Sequence, residues 1–132
     1  MVDILSTDAA KSISMTLRTL VQECNAIKRF GYDYLRLPRQ DALKKIKRLT
    51  ALRGAIISFS NQFAQMGASK RSKLLQAFDT AALYMGKIID LINKPSASID
   101  NDYKQLTRYT DALMATIPTI ERKLKTLQQL IA

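Results

Sequence analysis

Few side chains here could do chemistry, and their spacing does not suit catalysis. The chain has no His, and Cys24 stands alone. One Cys excludes an internal disulfide and a cysteine metal cluster. Its position on an apolar stripe marks it as a small buried hydrophobe. The glutamates are Glu23 and Glu121. General acid–base work calls on His or a buried carboxylate, and neither is indicated on an apolar stripe. Asp100 and Asp102 form a close acid pair, which suits the positive end of a helix better than a cation. No phosphate loop, dinucleotide fingerprint, nucleophile elbow or catalytic triad occurs. The expectation is a protein that is not an enzyme, with no cofactor and no metal.

What the chain does carry is positive charge. Its 132 residues include 21 Lys and Arg against 11 Asp and Glu, a formal +10. Such a surplus exceeds what solubility needs and points to a partner of opposite sign. The charge is concentrated between residues 28 and 53. That stretch holds Lys28, Arg29, Arg36, Arg39, Lys44, Lys45, Lys47, Arg48 and Arg53 against Asp33 and Asp41. These nine cations are the candidate partner-docking residues. Lys44 and Lys47 are expected to point away from the apolar stripe. Arg48 and Arg53 flank it, and Lys45 must snorkel from near its centre. Smaller basic groups are Lys70, Arg71 and Lys73, and Arg122, Lys123 and Lys125.

The elements that position these charges are helices. Four Gly and three Pro are too little punctuation for a sandwich or barrel. Apolar residues recur at three and four in four segments, about 7–30, 41–66, 70–93 and 100–131. The first stripe is Ile13, Leu17, Leu20, Val21, Cys24 and Ile27. The second is Ile46, Leu49, Leu52, Ile56, Phe59, Phe63 and Met66. The third is Leu74, Phe78, Ala81, Met85, Ile88 and Ile92. The fourth is Tyr103, Leu106, Leu113, Ile117, Ile120, Leu124, Leu127 and Ile131, with Thr110 filling one slot. Cap candidates are Ser6, Thr7 and Asp8 for the first helix and Asp100 and Asp102 for the fourth. Gly31 is expected to end the first helix, and residues 31–40 to form a connection that lays its aromatics over the bundle end. Gly67-Ala68-Ser69 makes the next turn, and Pro95 stops the third helix. Pro118 should kink the fourth helix or force a restart. Short connections make neighbours antiparallel. The fold class is therefore all-α, a single domain over 1–132, folded as an up-down-up-down four-helix bundle.

From Leu52 to Pro118 the chain resembles the PsbQ family, the extrinsic luminal subunits of photosystem II. The resemblance lies in Leu52-Arg53, in Ser58-Phe59-Ser60-Asn61, and in the basic-to-leucine stretch Lys70 to Leu75. It continues with Tyr103, Asp111-Ala112-Leu113 and Ile117-Pro118. The chain has no Trp and shows no counterpart of the Pro-rich arm of plant members, which brings it nearer an algal PsbQ-like form. The resemblance implies a four-helix bundle in the thylakoid lumen, peripheral to the membrane. It implies acidic partners, the photosystem II core and other extrinsic subunits, and a role in retaining Ca²⁺ and Cl⁻ at the oxygen-evolving centre. Residues 1–12 lack a signal-peptide pattern, so this reading expects a targeting segment outside the chain. No apolar run approaches a membrane span.

The same charge and helices support an alternative, a basic bundle that binds nucleic acid, like the accessory proteins of some reverse transcriptases. No helix-turn-helix, aromatic RNA-binding motif or zinc module accompanies it. The tyrosines Tyr32, Tyr34, Tyr84, Tyr103 and Tyr109 lie mostly apart from the basic stretch in sequence, and those at core spacing read as packing.

Overall fold

The three-and-four spacing of apolar residues is realised as helix throughout. The computed structural model describes residues 7–65, 72–94 and 98–131, with side chains from 11 to 126 within those ranges. Helix α1 spans Thr7–Leu35, α2 Arg39–Gln65, α3 Lys73–Asn93 and α4 Ile99–Ile131. No strand occurs among the described residues, and the fold is all-α with four helices.

Local chemistry sets the ends. Arg36 N–H donates to Asp33 O at 3.1 Å as α1 closes. Ala42 N–H donates to Pro38 O at 2.9 Å, which opens α2. Ser72 caps α3 by accepting from Leu75 N–H at 3.2 Å. Ser98 does the same for α4, accepting from Asn101 N–H at 3.4 Å. Asp100 and Asp102 lie in the first turn of α4, where the dipole favours them, but the capping oxygen belongs to Ser98. Ser6, the turn at Gly67-Ala68-Ser69, the pair Lys70 and Arg71, and Pro95 lie outside the described residues, as do the side chains of the other cap candidates, Thr7 and Asp8.

The end of α1 corrects the sequence reading. The helical backbone does break at Phe30, beside Gly31, but a second helical stretch follows directly and runs on to Leu35. The axis kinks at Phe30, where φ is −124° and ψ is 33°. The connection thus shrinks from 31–40 to the residues between Leu35 and Arg39, and α2 begins two residues earlier than expected. Gly31 is buried under α4. A Cβ built there would lie 2.7 Å from Tyr103 Cε2. The missing side chain serves close packing.

One core joins the four helices. Ile13, Leu17, Leu20, Cys24 and Ile27 from α1 meet Leu49, Ile56, Phe59 and Phe63 from α2. Phe78, Ala81, Met85, Ile88 and Ile92 come from α3, and Leu106, Leu113, Ile117 and Ile120 from α4. Phe78 is at the aromatic centre, with its ring 5.9 Å from that of Phe63 and 6.5 Å from that of Phe59. Thr110 does fill a core slot. Its hydroxyl donates to Leu106 O at 2.7 Å, so a buried polar group is satisfied within its own helix. α2 packs on α3, α3 on α4 and α4 on α1, while α1 and α2 approach each other less closely. α4 is one helix through Pro118.

Candidate docking surface

Of the nine cations expected to dock a partner, six make contacts within the fold and three do not. Arg48 leaves α2 on the side of α1, and its Nε meets Glu23 Oε1 at 2.6 Å. The other carboxylate oxygen of Glu23 accepts from the Tyr34 hydroxyl at 3.3 Å. Lys45, one turn before Arg48, stands 5.4 Å above the Tyr34 ring. The half-buried Lys45 snorkels as expected, but onto an aromatic face. A carboxylate, a phenol, a guanidinium and an ammonium thus bridge the side where α1 and α2 pack least.

Glu23 is the functional-looking residue that the sequence reading missed. Its side chain is 6% exposed, so a buried carboxylate does exist. The signal was available. Glu23 lies three residues after Leu20 and four before Ile27, on the stripe itself. Its charge raises its neighbours' proton affinity. Burial first, and Glu23 second, push the Cys24 thiol up to about 12. The Tyr34 hydroxyl is likewise pushed up to about 12, by burial and then by the charge and hydrogen bond of Glu23. A thiol held that far into the protonated form is a poor nucleophile.

On the opposite side of α2, Arg53 Nε donates to Ala82 O at 2.8 Å. Its guanidinium passes over Gly86, where an added Cβ would lie 3.3 Å from Nε. Arg39 Nη1 donates to Asn93 O at 3.1 Å, covering a carbonyl at the end of α3. Between α1 and α4, Lys28 Nζ meets Asp111 Oδ1 at 2.8 Å. That hydrogen bond and charge raise the lysine's pKa. Tyr32 stacks on Tyr103 with centroids 4.1 Å apart, and its hydroxyl donates to Asp100 Oδ1 at 3.1 Å. The bond to Asp100 is the main reason its pKa is raised. Arg36 lies 5.8 Å from the Tyr32 ring centroid.

Lys28, Arg36, Arg39, Lys45, Arg48 and Arg53 therefore hold the bundle's own parts together. Arg29, Lys44 and Lys47 are exposed, with no ion pair or ring contact among the described residues. Among the described residues, Tyr32 and Tyr34 are the tyrosines that meet cations of the 28–53 stretch. Tyr32, Tyr34 and Tyr109 each lie under a cation, the last under Lys87 at 5.3 Å.

Family models, characterised proteins and solved structures offer no match to this chain. Its surface is read from its own geometry. Among the described residues no three His, Cys, Asp or Glu side chains gather into a metal-ligand group. None of the described helices is long and apolar enough to cross a membrane. An open groove between α1 and α4 is lined by Gln22, Asn25, Ala26, Lys28, Arg29, Phe30 and Met114. Phe30 is 50% exposed there. Sequence reading gave it no role, because a Phe at the end of an apolar stripe looks like core.

Proposed function

We propose that this chain is a non-catalytic basic bundle that docks by charge on an acidic macromolecular surface. The observation that carries the reading is the division of the basic residues. Six of the nine cations of 28–53 are engaged within the fold, yet Arg29, Lys44 and Lys47 remain unpaired in solvent on a chain of net +10. Lys44 and Lys47, one turn apart on α2, present their charge outward without any structural duty. The helices run antiparallel in up-down-up-down order. This arrangement is supported by cross-helix pairs whose numbers fall on one side as they rise on the other: Arg39 with Asn93 and Arg53 with Ala82, then Lys28 with Asp111 and Tyr32 with Asp100. Pro118 bends α4, since its ring crowds the carbonyl one turn back and leaves that acceptor without a donor.

Following the resemblance to the PsbQ family, the acidic surface is the luminal face of photosystem II. The bundle is peripheral to the thylakoid membrane there. It braces neighbouring extrinsic subunits and slows loss of Ca²⁺ and Cl⁻, donating no ligand to the metal cluster. Concentrated NaCl, which screens charges beyond a few ångströms, should release it from thylakoid membranes without detergent. Restored oxygen evolution on adding it back, weakened by Lys44→Glu with Lys47→Glu, supports the reading. Retention through the salt wash defeats it.

A second reading, binding of single-stranded nucleic acid, is favoured by the exposed Phe30 beside Arg29, since rings and cations together hold bases and phosphates. Tight binding to an oligonucleotide with a steep salt dependence, and none to photosystem membranes, would establish it over the first.

A further inference from the structure

Phe30 is a large apolar side chain left half in water at the kink of α1. Ala26, one turn earlier, and Met114 from α4 line the same open groove. Gln22, Asn25, Lys28 and Arg29 also line it. Aromatic rings, Met and Arg are the side chains enriched at interface centres, where an apolar anchor is buried and a planar cation fixes its orientation.

We propose that this groove seats an acidic amphipathic segment of a partner protein. An apolar side chain of the partner packs on Phe30 and Met114, and a carboxylate beside it pairs with Arg29. The proposal rests on the docking reading above and names its anchoring contact.

The charges around the groove select this occupant. A phosphate backbone needs a run of cations free to neutralise it. Lys28 is already paired with Asp111 at 2.8 Å, and the exposed Asp33 stands one turn beyond Arg29. A run of phosphates along α1 would have to pass Asp33, whereas a single carboxylate seated at Arg29 does not. Arg29 is left as the groove's unpaired cation, and one guanidinium matches one carboxylate through paired hydrogen bonds. The Gln22 and Asn25 amides can both donate and accept, which suits peptide groups. The thioether of Met114 adapts to an aliphatic side chain.

The probe is a fluorescein-labelled helical peptide with leucines on one face and glutamates on the other, titrated with the full chain and read by anisotropy. The lysine version of the peptide and an oligothymidylate are the comparisons. The leucine–glutamate peptide should bind, the lysine peptide should not, and Phe30→Ala and Arg29→Glu should each weaken binding about tenfold or more. Lys44→Glu with Lys47→Glu should change it by less than about threefold. Arg29→Glu, at an exposed side chain, keeps the test decisive should Phe30→Ala alter the kink of α1. Wild-type affinity in Arg29→Glu overturns the proposal, and so does tighter binding of the oligothymidylate lost in the same variants. If only the Lys44 and Lys47 reversals release the peptide, charge docking stands and the groove falls. If the peptide does not bind at all, the groove proposal falls, while charge docking stands or falls on the salt wash.

Discussion

The ring of Tyr103 occupies the space that a side chain at Gly31 would need. A Cβ there would stand 2.7 Å from Cε2 and 3.1 Å from Cδ2. The same ring stacks on Tyr32 at an interplanar angle of 6°. α4 therefore approaches α1 through an aromatic pair laid over bare backbone. Gly31→Ala should destabilise the fold by about 1–3 kcal/mol, the range for overpacking. Gly54 gives the opposite sign. It is exposed on α2, and nothing lies within 4 Å of a Cβ built there. Gly54→Ala should stabilise by about 0.5–1 kcal/mol through helix propensity alone. Urea midpoints of the two variants check both signs.

Glu23 and Arg48 form an asymmetric pair, one side chain 6% exposed and the other 53%. Removing the arginine leaves a buried carboxylate with the Tyr34 hydroxyl as its remaining partner. Full burial of such a pair would make its rupture cost about 3–5 kcal/mol. The exposed guanidinium lowers this, and Arg48→Met should cost about 1–3 kcal/mol. Glu23→Gln combined with Arg48→Met should cost less than the sum of the single changes. A double-mutant cycle in chemical denaturation reads the coupling, and additive effects would show that the pair contributes nothing.

Phe78 is fully buried and touches aromatic rings from α2. Phe78→Ala should cost about 3–5 kcal/mol, by lost transfer energy and by the cavity left between α2 and α3. A change below about 1 kcal/mol, outside the range for a buried Phe, would place Phe78 away from the core.

The alkaline limb of stability follows from two buried acids. Cys24 ordinarily titrates at 9.0 and Tyr34 at 10.0, and the fold holds both up to about 12. The unfolded chain thus releases these protons first as pH rises. The stability these two groups contribute is whole below pH 9.0, then falls as pH climbs through the window between the ordinary values and about 12. Tyr34→Phe keeps the ring and removes its titration. Its stability should fall less steeply than wild type above pH 10.0, as denaturant midpoints across that range will show. Equal slopes would refute the assignment.

The helices were legible because burial writes itself into sequence at helical spacing. Ile13 through Ile27 and Leu74 through Ile92 face inward as their spacing requires. The end of α1 was not legible. A Gly after an apolar stripe reads as a stop, and the stripe does not show that helix resumes beyond the kink at Phe30, where the ring of Tyr103 packs over Gly31. The candidate docking residues show the same limit. Their identity and number are sequence facts, but Lys28 turns to α4, Arg48 to α1 and Arg53 to α3. Which cations remain for a partner depends on helix rotation, and no local pattern records that. Glu23's place on the stripe was legible, but its partner was not, since Arg48 arrives from another helix.

Cys24, wholly enclosed and the chain's one sulfhydryl, gives the molecule a counter of its own openings. A maleimide or disulfide reagent at neutral pH finds no other target in the sequence, so each labelled molecule records one excursion that brought the middle of α1 into water. Followed against denaturant, the labelling rate separates small breathing motions, which hardly respond, from complete unfolding, which responds with the full exposure of the core. Under conditions where no spectroscopic probe detects unfolded chains, that tally still reports how often they form.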